Sequence, residues 1–252
     1  MSVPNASDKR TSAEKVLAVL DVFGEGECMG VTEVGRRAQL TKSTAHRLLA
    51  TLERHGLIER TGVEYSLGLG LFELGSRAGI GPHGSLARVA LPYLTELYEA
   101  TGQTVHLAVL DRSEVVYVCK LHGHAPQPSP TRIGGRMPAH CTALGKAVLA
   151  YSPEPLAMRV AEGGLACMTR HTILHPDVFM TELRRTREEG VSYDRQETTL
   201  GLGCVGAPIL DERGRSLAAV SVSGPISRIS SYSARTLKAA RSIQNALAVE
   251  SA

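Results

Sequence analysis

The sequence predicts an α+β protein in two parts: a small domain of three helices and a hairpin, then a larger domain of helices on an antiparallel sheet. Three features of the chain lead there. Apolar residues recur at helical spacing three times before Gly56, and a short β-rich stretch then turns at Thr61-Gly62. A run of helix breakers, Gly79, Gly81, Pro82 and Gly84, interrupts the chain. Beyond it, strand-like segments are joined by turns short enough for hairpins, not by the long crossovers that a parallel sheet needs.

The first helix covers Ser12–Phe23, with Val16, Leu17, Leu20 and Phe23 on one side and Gly24 and Gly26 ending it. A short second helix lies in "MGVTEVGRRAQL", with Val31, Val34 and Ala38 together. The third, "TKSTAHRLLATLERHG", has Thr41 as N-cap and Gly56 at a left-handed C-terminal position. "LIERTGVEYSLG" supplies the hairpin. In that order these elements make a winged helix-turn-helix over 12–67, preceded by an arm, 1–11, expected to be disordered. Leu69, Phe72 and Leu74 mark a linker helix within 68–82.

The remaining domain, 83–252, opens with an amphipathic helix over Leu86–Ala100. "TVHLAVLD" and "EVVYVCKL" flank Arg112-Ser113 as a hairpin, and "HAPQPSPT" reads as a proline-rich loop. Thr142–Tyr151 and Asp177–Glu189 read as helices. "CVGAPIL" and "SLAAVSVSG" pair across "DERGR", and a last helix runs over Ser233–Val249.

With 252 residues, 43% hydrophobic and 21% charged, the chain has material for real cores. No stretch reaches the ~18 consecutive apolar residues of a membrane span, and the polar N-terminus lacks a signal's apolar region, so a cytoplasmic location is expected. The cysteines, Cys28, Cys119, Cys141, Cys167 and Cys204, are odd in number and form no CxxC pair, which argues against a disulfide framework or a structural zinc site. No cofactor or membrane partner is implied. The net charge of +3 says little, but its distribution says more. Between Arg36 and Arg60, the basic residues Arg36, Arg37, Lys42, Arg47, Arg54 and Arg60 meet only Glu53 and Glu59. Such a patch suits a polyanion.

On the third helix, Ala45, Leu48, Leu49 and Leu52 share the core face, and Ser43, Arg47, Ala50 and Arg54 lie opposite. A helix that reads DNA needs small polar groups at its N-terminal end and profits from an arginine able to fork onto guanine. Ser43, Thr44, His46 and Arg47 are therefore the expected base contacts. Lys42, Arg54 and the wing residue Arg60 are the expected phosphate contacts, which position the helix without reading sequence.

The densest chemistry lies in "RMPAHCTALGKAVLA", Arg136 to Ala150. It is no phosphate loop: His140 stands where GxxxxGK needs its first glycine, and Ala147 where it needs Ser or Thr. Thr142 is a natural N-cap, leaving the amides of Ala143, Leu144 and Gly145 without intrahelical acceptors at the positive end of a helix, an arrangement that suits a carboxylate. Gly145 can serve close packing, and Lys146 is expected to be solvated or paired at the surface. In "SLAAVSVSG" the period of two sets Ala218, Val220 and Val222 on one face and Leu217, Ala219, Ser221 and Ser223 on the other, where hydroxyls can meet a polar ligand, water or backbone. Asp194 is placed in a polar loop ten residues before Cys204.

"LTKSTAHRLLATLERHGLIER" with "VTEVGRRA" before it resembles the winged helix of the IclR-type transcriptional regulators. "PAHCTALGKAVLA" and "LGLGCVGAPILDERGRSLAAVSVSGP" resemble that family's effector-binding domain, so that the likeness covers nearly the whole chain in order. The resemblance implies a GAF-like effector domain and a regulator that is not an enzyme. It implies double-stranded operator DNA as partner, and homodimers or dimers of dimers. It also implies a small-molecule effector, often an organic or aromatic acid, held by positions matching Ala143, Leu144, Asp194, Cys204, Ser221 and Ser223. Cys141 stands where a small residue is expected and is taken as a shaper of that pocket, with Cys119, His122 and His124 nearby. Effector binding would shift the two DNA-reading heads through the linker helix.

Two other readings stay open on the residues alone. One is a metal- or redox-responsive regulator using His140, Cys141, Cys204 and Asp194. The other is a hydrolase with Cys141 as nucleophile. His140, its neighbour on an extended segment, would point away from the thiol, leaving a distant base such as His106.

Overall fold

In a computed structural model, the backbone is described over residues 9–24, 26–78, 82–124 and 129–251. The chain divides into two units at Gly81/Pro82.

The first unit is the three-helix and hairpin domain. Its elements are α1 (Ser12–Asp21), β1 (Met29–Gly30), α2 (Val31–Arg37), α3 (Lys42–Arg54), β2 (Ile58–Thr61), β3 (Glu64–Leu67) and α4 (Leu69–Ala78). Thr11 and Glu14 form a reciprocal capping box at the start of α1. Arg10 donates to the carbonyls of Ala38 (3.0 Å) and Gln39 (2.9 Å). So of the arm expected over 1–11, residues 1–8 lie outside the described residues, while Arg10 and Thr11 belong to the domain. The wing hairpin turns at Gly62, whose φ of +64° lies in the region that glycine adopts without strain. Val19, Phe23, Val34, Leu49, Leu52, Ile58 and Tyr65 close a core of their own. α4 carries exposed Leu69, Phe72 and Leu74.

The second unit holds α5 (Pro82–Thr101), β4 (Thr104–Asp111), β5 (Glu114–Leu121), β6 (Arg136–Pro138), α6 (Ala143–Ala150), α7 (Glu154–Glu162) and α8 (Pro176–Glu189). After these come β7 (Ser192–Arg195), β8 (Leu202–Leu210), β9 (Ser216–Pro225) and α9 (Ser233–Ser251). Among the described residues, six strands form one antiparallel sheet in the order β6-β5-β4-β9-β8-β7. Its two faces bury separate cores. Leu94, Leu107, Val205, Val220, Val222 and Ile243 pack under α5 and α9. On the other face, Ala108, Tyr117, Leu144, Val148, Phe179 and Ala219 pack under α6, α7 and α8. The expected alternation along β9 holds, with Ala218, Val220 and Val222 in one core and Ala219 in the other.

Elements β1, α7, β6 and β7 are not predicted from the sequence. Helix α7 had a signal, Pro153 and Pro155 followed by apolar Leu156, Ala157, Val160 and Ala161. Strand β7 had almost none, being four residues of which three are polar. Asp194 therefore sits on a strand and not in a loop.

Candidate functional site

Two regions assemble the residues singled out by the sequence. In the first unit, Thr41 caps α3 by accepting from the Thr44 amide (3.3 Å), and its hydroxyl lies 3.2 Å from that of Ser43. Ala45, Leu48, Leu49 and Leu52 are buried, which turns Lys42, Ser43, His46, Arg47 and Arg54 outward. Thr44 is half-buried. Arg54 donates to Thr51 Oγ1 (3.3 Å), and Arg60 to the Gly62 carbonyl (2.9 Å) while lying over the Tyr65 ring. The basic patch is smaller than composition suggested. Arg36 and Arg37 are both paired with Glu33, at 2.6 and 2.7 Å, and Arg37 also meets Glu27 at 2.8 Å. These guanidinium groups hold the Glu33 carboxyl down at about 2. The window that began at Arg36 left out Glu33, one turn earlier, and Glu27 ahead of the helix.

In the second unit, a cavity lies between the sheet and the first turn of α6. Strand register builds its floor on two rungs that share one face, with the rung of Val105, Val205 and Val222 between them facing the other way. One aligns Asp194, Cys204 and Ser223 across β7, β8 and β9. The other aligns Gly206, Ser221 and His106 across β8, β9 and β4. Thr142, Ala143 and Leu144 form the wall opposite. Tyr117, Met137, Leu202 and Thr198 complete the sides, and Ser129 and Thr131, from the segment between β5 and β6, lie across it. The cavity measures about 20 Å³.

Thr142 caps α6 by accepting from the Gly145 amide at 3.0 Å, so the Gly145 N–H is committed and those of Ala143 and Leu144 remain ahead of it. Gly145 is required by close approach: a methyl group there would run into the Ala139 carbonyl. Asp194 accepts from Thr198 Oγ1 (2.5 Å), the Glu197 amide (2.6 Å) and the Thr198 amide (3.4 Å). Burial raises its carboxyl, and these hydrogen bonds oppose the rise.

The family models agree with this division. A model described as "Bacterial transcriptional regulator IclR C-terminal" matches residues 83–248, and one described as "IclR helix-turn-helix domain" matches 12–62. The chain belongs to the IclR family. Among relatives, the HTH-type transcriptional regulator XynR of Escherichia coli is 36% identical over 222 residues, covering 86% of this chain and 87% of that protein. The transcriptional repressor IclR of the same organism is 33% identical over 249 residues, covering 94% and 90%. A solved IclR homologue from Microbacterium hydrocarbonoxydans, complexed with 4-hydroxybenzoate, superposes with a TM-score of 0.87 at 26% identity, covering 95% of this chain and 100% of that one. The protein is thus a transcriptional regulator of the IclR type and not an enzyme, with a DNA-binding helix-turn-helix and an effector domain. Among the described residues no helix is long and apolar enough to cross a membrane.

Within this IclR effector domain, Ala143, Leu144, Asp194, Cys204, Ser221 and Ser223 all line the cavity. Cys141 does not. It is buried in the 3-10 turn Ala139–Cys141, where its Sγ donates to the Pro138 carbonyl (3.5 Å). Burial, reinforced by Asp194 and Glu197, pushes that thiol up to about 12, far from a nucleophile's range. His140 turns instead to the Ala166 carbonyl (3.0 Å) and the Phe179 ring. The segment is a tight turn and not the extended stretch expected from sequence. Cys119 is also absent from the pocket, because a bulge at Leu107/Ala108 turns it toward the core under α5 and α9. His122 and His124 are exposed, and His124 lies against Tyr98. Among the described residues no group of three or more His, Cys, Asp or Glu is placed to hold a metal ion.

Lys146 is the largest departure. It was expected at the surface, yet it is wholly buried, with Nζ 2.5 Å from Glu197 Oε1 and 4.0 Å from Glu182 Oε1. Glu197 is itself buried, and among the described residues its Oε2 has no hydrogen-bond partner. Burial raises the Glu197 carboxyl, against the pull of Lys146. Sequence reasoning also missed the cavity roles of His106, Tyr117 and Thr131. Polar His106 within the apolar run "TVHLAVLD" was the available signal, since a buried imidazole needs partners.

Proposed function

We propose that this protein is a one-component regulator whose operator affinity is set by a small organic or aromatic monocarboxylate held in the cavity beside α6. The observation that carries the reading is the pairing of a helix N-terminus with a polar strand floor. The amides of Ala143 and Leu144 would take the carboxylate at the positive end of α6, and Ser221, Ser223 and Cys204 would take the ligand's other polar atoms. Asp194 commits both of its oxygens to its own turn and so supports the floor. The complex of an IclR homologue with 4-hydroxybenzoate makes that acid the first compound to test. A ligand of that size needs far more room than about 20 Å³, so its entry must move a wall, which is how occupancy would be felt as conformation.

On the DNA side, Ser43, Thr44, His46 and Arg47 would read bases, and Lys42, Arg54 and Arg60 would hold phosphates. Two such heads in a homodimer, or in a dimer of dimers, would face a palindromic operator. On this reading residues 68–82 would act as the linker and 83–252 as the effector domain.

Operator duplexes selected in vitro by the purified protein provide the assay. Arg47→Ala should weaken their binding by about 1–3 kcal/mol, read by fluorescence anisotropy. Unchanged affinity removes Arg47 from base reading. Titration with 4-hydroxybenzoate should raise the melting temperature by mass action and change operator affinity. Ser221→Ala should weaken that response and leave DNA binding of the unliganded protein intact.

A further inference from the structure

A chain of polar side chains runs along the cavity, and His106 is its middle link. Cys204 Sγ lies 3.1 Å from Ser223 Oγ, and Ser223 Oγ lies 3.4 Å from His106 Nδ1. His106 Nε2 lies 3.0 Å from Thr131 Oγ1, which lies 3.0 Å from Ser129 Oγ. All five residues line the cavity. Cys204, Ser223 and His106 stand on the central strands β8, β9 and β4, whereas Ser129 and Thr131 belong to the irregular segment laid across them. The imidazole, held edge-on against Tyr117, thus joins the fixed floor to the cover.

Resting on the acid-effector reading above, we infer that His106 is a specificity-determining residue: a hydroxyl on the ligand takes the place of the Thr131 hydroxyl at Nε2, and the cavity thereby selects monocarboxylates bearing a neutral hydroxyl over dicarboxylates and unsubstituted acids. Both ring nitrogens face hydroxyl groups. In either tautomer one nitrogen donates and the other accepts. A ligand hydroxyl, donor and acceptor at once, satisfies Nε2 in both. A second carboxylate could only accept, and would need a positive partner to leave water. The imidazole is no such partner: burial, with the nearby Lys120 and His122 charges, pushes it down to about 3. The Lys120 ammonium is engaged with the Thr131 carbonyl at 2.6 Å, and Asp194 on the same floor adds negative charge. An acid lacking the hydroxyl would leave a buried nitrogen unpaired once Thr131 is displaced.

The test is calorimetric titration of the full-length protein with 4-hydroxybenzoate, benzoate and terephthalate. Wild type should bind 4-hydroxybenzoate at least about tenfold more tightly than benzoate, with terephthalate weaker still. His106→Leu should bring the first two within about twofold of each other. Thr131→Val, which removes the bond that either acid must displace, should tighten 4-hydroxybenzoate and benzoate together and keep the preference between them, a gain of affinity that lost folding would not mimic. Equal binding of 4-hydroxybenzoate and benzoate by wild type, or a preference that survives His106→Leu, overturns the role of His106 and leaves the acid-effector reading standing. If none of the three acids binds, that underlying reading fails and takes this one with it.

Discussion

Helices α3 and α6 both begin at a threonine cap and both carry basic residues, yet they are built for opposite surroundings. α3 buries one stripe, Ala45, Leu48, Leu49 and Leu52, and presents its basic and small polar residues outward. α6 is buried along all eight residues, Lys146 included. In the first helix a charge is an exposed tool. In the second it belongs to the interior, where it must be matched. Lys146 meets that demand through Glu197 and Glu182, reaching from the α6 wall to the turn that Asp194 organises.

The comparison breaks most visibly at the lysines. Lys146→Met removes one partner of a buried pair and leaves Glu197 uncompensated, so stability should fall by about 3–5 kcal/mol. Lys42→Met on the exposed face of α3 should change it by less than about 0.5 kcal/mol. Replacing Lys146 and Glu197 together with methionine should recover most of the loss, since a matched apolar pair carries no stranded charge. Urea denaturation of the four proteins gives the comparison. A Lys146→Met protein as stable as wild type would mean that the ion pair is not a feature of the folded interior.

The same contrast explains what could be read from the chain beforehand. An amphipathic helix declares its orientation, so α3, its cap and its outward residues were legible from period and N-cap chemistry alone. A helix buried all round has no polar face to read. "ALGKAVLA" offered one charged residue, and the ordinary preference of lysine for water gave the wrong side. The hairpin pairs β4–β5 and β8–β9 were legible because their turns and alternation are local. Strand β7 was not, because its pairing with β8 closes over a polar turn that carries no strand signal. The cavity floor followed the same rule. Ser221 and Ser223 came from the period of two, whereas His106 and Thr131 meet only through strand register and a loop contact, 25 residues apart.

The two caps sharpen the comparison at smaller scale. Thr41 and Thr142 play the same role, accepting from the amide three residues on, at 3.3 Å and 3.0 Å. Thr41 is exposed and Thr142 buried. Without the hydroxyl, the Thr44 amide can turn to water, and Thr41→Ala should cost about 0.5–1 kcal/mol. The Gly145 amide has no such recourse, so Thr142→Ala should cost about 1–3 kcal/mol. Equal costs in chemical denaturation would mean that water reaches the α6 cap.

Acid should act on the two regions with opposite sign. Glu33, beside Arg36 and Arg37, is held at about 2, below its ordinary 4.5. The unfolded chain binds its proton more readily than the folded one. Its stabilising contribution is therefore full above the unfolded value and is lost as pH falls through the folded one. Asp194 is shifted the other way, chiefly by burial, above its ordinary 3.8. The folded chain takes up its proton first, so the burial penalty on Asp194 is relieved as pH falls from neutral toward that ordinary value, and its contribution to stability rises over that window. Thermal melts of wild type and Asp194→Asn at pH 7 and at stepwise lower pH isolate this smallest effect. The stability of wild type relative to the variant should increase as pH falls toward the carboxylate range. The Glu33→Gln comparison should move in the opposite direction, wild type losing its advantage at lower pH. If the Asp194 difference fell with acid, the carboxyl would be stabilised by its three hydrogen bonds more than it is penalised by burial, and the cavity floor would resemble the half-buried Glu33 of α2 after all.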